Sequence, residues 1–285
     1  SNLNSPTVVN SSTENSWVYE LLLYNGSLYG ASTDGIYRFE LLGNGQFLPA
    51  VVVGPDVGAF SLVIENDVLY ANAQFAGVFI ADITDPGNPI TLAMHDTSGQ
   101  AFDVKKIGDR LYVTNRHEGL VVVDVQDPSN PTTLGVHNLS YESWGASVDP
   151  VREIVYAIGN VSDGGTKVID VSGVPVNGVV DFESTSNGSW SSVSLGSSVV
   201  LAGGKTIYTM DASDPLSIEQ TSLFSTGSTS RDIAIAGQTL CVAAGGAGLM
   251  LLDATDPNNL QIISTLDVPG LADSIFVLDD VAYLG

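Results

Sequence analysis

Basic residues are scarce in this chain. There are 9 Lys and Arg against 32 Asp and Glu, a net charge of -23. Phosphate recognition needs clustered cations, so nucleic acid is disfavoured as a partner, and anionic membrane surfaces with it. Cysteine is scarcer still. Cys241 stands alone, so no disulfide can form within the chain, and in the apolar run TLCVAA it reads as a small core residue. His95, His117 and His137 show no zinc-type spacing. No apolar run reaches the roughly 18 residues of a membrane-spanning helix, so no membrane insertion is expected. No G-x-S-x-G elbow and no phosphate loop occur; Gly245-Gly246-Ala247-Gly248 lies between two strand-like runs with no helix after it. Charged residues are only 14%, but hydrophobic ones are 44%, enough to bury a large core. The chain opens at Ser1 without a methionine or a basic leader, as a processed or trimmed chain does.

What the chain does have is repetition. Residues Gly99 to Ser140 contain four short apolar runs separated by turn residues: Phe102–Ile107, Arg110–Thr114, Leu120–Val125 and Thr132–Val136. Versions of this unit recur over about 17–57, 58–98, 141–185, 186–226 and 227–268, and another begins at Pro269. A period of about 41–45 residues with four strand-length runs is the signature of a propeller blade. The runs alternate or are continuously apolar over a few residues, without a helical stripe. The expected fold is therefore a single all-β domain over 1–285, a propeller of seven four-stranded blades. The last blade would join 269–285 to 1–16, closing the ring by pairing of N- and C-terminal strands. Ser5-Pro6-Thr7 answers Asn130-Pro131-Thr132, which gives the N-terminus the spacing of an outermost strand. On the register of repeat three, Gly285 matches Thr114 and Ser1 matches Gln126, so that blade is expected to be incomplete.

The strongest motif follows the third run. It reads Asp82-Ile83-Thr84-Asp85-Pro86, then Asp124-Val125-Gln126-Asp127-Pro128, Asp211-Ala212-Ser213-Asp214-Pro215 and Asp253-Ala254-Thr255-Asp256-Pro257. Carboxylates at short spacing suit calcium. Asp before Pro also starts a turn, and recurrence in successive repeats favours the turn. The pieces GVFIADITDPGNP, GLVVVDVQDPSNP, TKVIDVSG and GLMLLDATDP resemble the LVIVD-repeat family, and RLYVTN is similar to the YVTN-type propellers. The resemblance implies a β-propeller on a bacterial or archaeal secreted or cell-surface protein, without a shared enzymatic role.

In such a blade the repetitive turns share one face, and the second–third loops and inter-blade links share the other. The first carries Asn25-Gly26, Asn66-Asp67, Gly108-Asp109 and the Asp-Pro turns. The second carries loops that differ in every repeat: Ser32–Asp34, Gln74–Ala76, Arg116–Glu118, Asn160–Gly164 and Gly245-Gly246. Variation marks the second face for function. At the start of each innermost run stand Tyr19, Phe60, Phe102, Trp144, Trp190, Arg231 and Asp273. They read either as packing between blades or as an aromatic rim with two polar anchors, suited to sugars or protein hot spots. Arg116-His117-Glu118 is the most polar loop on that face.

The expected function is a non-enzymatic interaction module binding protein or carbohydrate, either as a monomer or within a larger surface polypeptide. The alternative is a hydrolase or lyase holding a metal through Glu20, Asp103 and Asp232 at the channel. A third reading is an architectural spacer. No cofactor is expected, and calcium is the one ion left open.

Overall fold

The structure, a computed structural model, describes residues 8, 17–43, 46–54, 57–139, 142–159, 166–173, 189–214, 217–278 and 281–285, and the backbone of 178–183. Repeat three shows how a unit folds. Its inner strand Ala101–Ile107, second strand Arg110–Asn115, third strand Gly119–Asp124 and outer strand Thr132–His137 pair antiparallel in chain order. Leu111 to Asn115 and Gly119 to Val123 are buried throughout, while the outer strand is partly exposed. The central strands are covered on both faces, which is why they read as continuous apolar runs rather than alternations.

Six such sheets occur among the described residues. Their inner strands are Val18–Tyr24, Leu62–Glu65, Ala101–Ile107, Ser143–Asp149, Ser191–Leu195 and Asp232–Ala236. The described residues form an all-β propeller with six blades, which corrects the expected seven. After blade six comes a two-stranded sheet, Ile275–Leu278 with Val281–Leu284. It packs against the inner strands of blades six and one. Residues 269–285 hold two strand-length runs, and these are the two strands that pair. The N-terminal stretch assigned to an outermost strand lies outside the described residues, apart from Val8, which is exposed and in no strand.

Blade one departs in its outer part. Gln46–Phe47 and Val51–Val52 pair separately with the third strand Gly35–Gly43. Pro49 lies between them and has no N–H to give a ladder.

Apolar clusters fill the spaces between neighbouring sheets. Tyr70, Ile80, Val104 and Val121 meet between blades two and three. Cys241, Leu251 and Ile275 meet between blade six and the two-stranded sheet, and Leu28, Phe39 and Tyr283 meet between that sheet and blade one. Burial pushes the Cys241 thiol up to about 11, so it is core and not a nucleophile.

The Asp-Pro motifs are turns. Asp82, Asp124, Asp170, Asp211 and Asp253 each accept the N–H two residues ahead at 2.8–2.9 Å. Asp85, Asp127 and Asp256 do the same with Gly87, Ser129 and Asn258 at 3.0 Å. The carboxylates close their own loops, two Asx-turns in succession. On the same face Asn66 and Asp67 hold φ of 52° and 60°, the left-handed pair of a tight hairpin turn.

Candidate functional site

The channel mouth is built by irregularities at the head of the inner strands. Against the second strand, Val18 pairs Ser32 and Glu20 pairs Ala31, which leaves Tyr19 as an extra residue. The same shift isolates Phe102 between Ala101 and Asp103, and Trp144 between Ser143 and Gly145. A bulge turns one side chain away from the sheet's alternation, here towards the mouth. Phe60, Trp190, Arg231 and Asp273 precede their strands. Phe60 and Ser61 donate their N–H groups to buried Asn72 Oδ1, both at 2.7 Å.

All seven predicted positions come together. Tyr19 meets Phe60 edge-on at 4.8 Å between ring centroids. Phe60 stacks on Phe102 at 5.0 Å and 5°, and Phe102 stacks on Trp144 at 5.4 Å and 14°. Trp144 meets Trp190 at 4.4 Å, near perpendicular. The Arg231 guanidinium lies 5.5 Å from the Trp190 ring centre and 3.2 Å from Asp273. Burial, with the charge of nearby Asp273, raises the Tyr19 phenol, which Arg231 opposes, so Arg231 and Asp273 also act on Tyr19. The two readings of these residues therefore merge: they pack on one another from blade to blade, and together they line a cavity of about 650 Å³. Phe102 has a ring over each face, so what it offers the cavity is its edge.

Beneath the ring lies a polar layer that latches each blade to the next. Glu20 of blade one accepts the N–H of Leu62 in blade two at 2.9 Å. Asp103 of blade three accepts the N–H of Ala146 in blade four at 2.7 Å and the hydroxyl of Ser61 in blade two. Asp232 of blade six accepts the Ser191 hydroxyl of blade five at 2.6 Å and the Ile275 N–H at 2.8 Å. Ser274 donates to Val18 O of blade one at 2.9 Å.

Lys105 sits between Glu20 and Asp103, at 2.9 and 3.1 Å. Burial alone would lower its pKa, but the two carboxylates outweigh burial and raise it. Asp232 has no such cation among the described residues. Burial pushes it up to about 7, aided by the charge of Glu20 and opposed by its own hydrogen bonds.

Glu20, Asp103 and Asp232 were the residues of the metal alternative. Each lines the cavity, but each is bonded to the neighbouring blade, and no group of three or more metal-ligating side chains occurs among the described residues.

The polar loop is tied to the ring. Arg116 pairs with Glu142 at 2.9 Å, and Glu142 accepts the indole N–H of Trp144 at 3.4 Å. Glu118 is half-buried and His117 is exposed. Asn160–Gly164 lies outside the described residues. Phe75, on a 3-10 turn over Gln74–Ala76, is 74% exposed on this face, and Trp17, whose carbonyl accepts the Thr33 N–H, is 49% exposed. Sequence reading missed Asn72, Ser61, Ser191, Lys105 and Glu142. Their signal was weak: each is a single polar residue, and its partners lie from two residues to two repeats away, with only Ser61 and Ser191 bonded at the spacing of one repeat.

The LVIVD repeat is matched at residues 98–138 and 227–268. No curated protein matches the chain. Among solved structures it is similar to the Cps50 (Swd1) β-propeller domain of Myceliophteria thermophila, with a TM-score of 0.75 and 12% identity, over 94% of this chain and 91% of that one. It is similar to the computationally designed Ika8 protein, with a TM-score of 0.70 and 11% identity, over 94% and 93%. It is also similar to Chaetomium thermophilum Sqt1 bound to the N-terminus of the ribosomal protein L10, with a TM-score of 0.66 and 12% identity, over 91% and 77%. At these identities the likeness is one of fold.

Proposed function

We propose that this propeller, which carries the LVIVD repeat at two places, is a non-enzymatic interaction module that binds a protein partner at the channel mouth. The observation that carries the reading is the self-stacked ring. Sugar recognition by aromatics uses ring faces, and the faces of Phe102 are covered by Phe60 and Trp144. Edges, Arg231, Asp273 and the exposed Phe75 and Trp17 suit a protein surface with anchors instead. The face opposite spends its carboxylates on its own turns.

On this reading the domain is displayed on a secreted or cell-surface protein, and its ring is closed by pairing of N- and C-terminal strands. Its acidic surface favours basic partners at long range.

The test is a random peptide array and a glycan array, probed in parallel with the wild type and a Trp144→Ala/Trp190→Ala variant. Peptide binding lost in the variant supports the reading. Glycan-only binding, or peptide binding that ignores the substitutions, overturns it.

A further inference from the structure

The cavity has an unbalanced charge. Its wall holds four carboxylates, Glu20, Asp103, Asp232 and Asp273, and two cations, Lys105 and Arg231. Both cations are committed. Lys105 is held by Glu20 and Asp103, and Arg231 by Asp273 and the face of Trp190. That leaves Asp232 without a cation among the described residues; its partners are the Ser191 hydroxyl and the N–H groups of Ile233 and Ile275.

Two further features point the same way. Asp273 is 4% exposed at its side chain, and its Oδ1 has no hydrogen bond besides the off-line contact with Arg231. The whole chain carries -23, so a cationic partner is drawn to it and an anionic one repelled.

We propose that the channel receives an alkylammonium group, the lysine side chain of a basic protein partner, with Asp232 as its counter-ion. The proposal rests on the protein-binding reading above. Lysine fits for three reasons. Its apolar stem can run along the aromatic edges of the mouth. Its compact ammonium offers three donors without demanding a flat bidentate fork. Asp232 Oδ2 accepts only the Ile275 N–H and retains a lone pair for it, while Oδ1 already accepts from Ser191 and Ile233. The buried pair is completed by the partner instead of within the fold.

The raised proton affinity of Asp232 gives the site a pH signature. The charged groups that share the cavity with it are Glu20, whose charge acts on it, Lys105 with Asp103, and the Arg231–Asp273 pair. Below neutral pH Asp232 is protonated and the ammonium has no counter-ion. Affinity for a lysine probe therefore rises as pH increases through about 7.

The experiment is a calorimetric and NMR titration of the intact chain with the blocked tripeptide acetyl-Gly-Lys-Gly-amide and its norleucine counterpart. The lysine peptide is expected to bind at least about tenfold more tightly, with shifts at Ile233 and Ile275 amides. Asp232→Asn keeps an acceptor for Ile275, and is expected to abolish both the preference and the pH dependence. Arg231→Gln is expected to strengthen lysine binding several-fold, a gain that no loss of folding would give. Equal binding of the two peptides at the ring overturns the ammonium proposal and leaves the protein-binding reading standing. So does an unchanged preference in Asp232→Asn. No peptide of either array or titration binding at the ring overturns both.

Discussion

Asp232 accepts the backbone N–H of Ile275 at 2.8 Å, so one carboxylate of blade six holds the two-stranded sheet that stands between blade six and blade one. Neighbouring blades elsewhere use the same device: Glu20 with Leu62 and Asp103 with Ala146. The acidic layer of the channel is thus first a set of inter-blade clasps.

The clasp at Asp232 makes stability depend on pH in an unusual direction. Burial lifts this carboxyl from 3.8 to about 7, with Glu20 adding to the shift and the hydrogen bonds from Ser191 and Ile275 opposing it. The folded state therefore holds the proton more tightly than the unfolded one. Its stabilising effect is complete below the unfolded value and is lost as pH rises through about 7. Urea midpoints of wild type and Asp232→Asn, compared from about pH 4 to 8, should show the wild type losing ground to the variant as pH rises. A constant difference would contradict this.

Asp103→Ala should cost about 2–4 kcal/mol in chemical denaturation. The carboxylate is buried and serves Ser61, Ala146 and Lys105 at once. Its loss strands an N–H and leaves Lys105 with Glu20 alone. A cost below about 1 kcal/mol would show that these bonds are replaced by water.

Two glycines of blade three separate conformation from space. Gly108 has a φ of 54° with nothing near a would-be Cβ, so Gly108→Ala should cost about 1 kcal/mol. Gly119 has a φ of 94°, and a Cβ there would meet the backbone of His137 and Leu139. Gly119→Ala should cost at least about 2 kcal/mol more. Equal costs would mean that the outer strand moves aside freely.

Calcium should leave thermal stability unchanged in the wild type and in Asp127→Asn alike. Hydrogen bonds from Asn130 and Ser129 lower the Asp127 carboxyl, so its contribution is present above its unfolded value and fades as pH falls through the folded one. A calcium-dependent rise in melting temperature that Asp127→Asn removes would return this loop to the ion-binding reading.

The repeat length, the strand count per unit and the seven ring positions were legible because each recurs at a fixed spacing. The number of full blades was not. The two runs of the unit from Pro269 were legible, but whether they extend into a full blade depends on pairing, and the described residues pair them only with each other. The bulges at Tyr19, Phe102 and Trp144 were equally hidden, since a bulge is a relation between strands and leaves no local mark. Glu20, Asp103 and Asp232 were picked out as acids near the channel, but their use as clasps depends on N–H groups of the next blade. Glycine at 77, 119 and 248 recurs at the head of the third strand, where a Cβ would strike the outer strand of the same blade. That pattern was in the sequence and carried no meaning until the neighbouring backbone was in place.

If recognition happens at the aromatic mouth, the Asp-Pro face is scaffold. The direct measurement is a backbone-amide NMR map of the intact chain saturated with the best peptide from the array. Shifts concentrated at Phe60, Phe102, Trp144, Trp190, Arg231 and the Arg116–Glu118 loop are expected. Shifts concentrated at Asp85, Asp127 and Asp256, with the mouth unchanged, would contradict this.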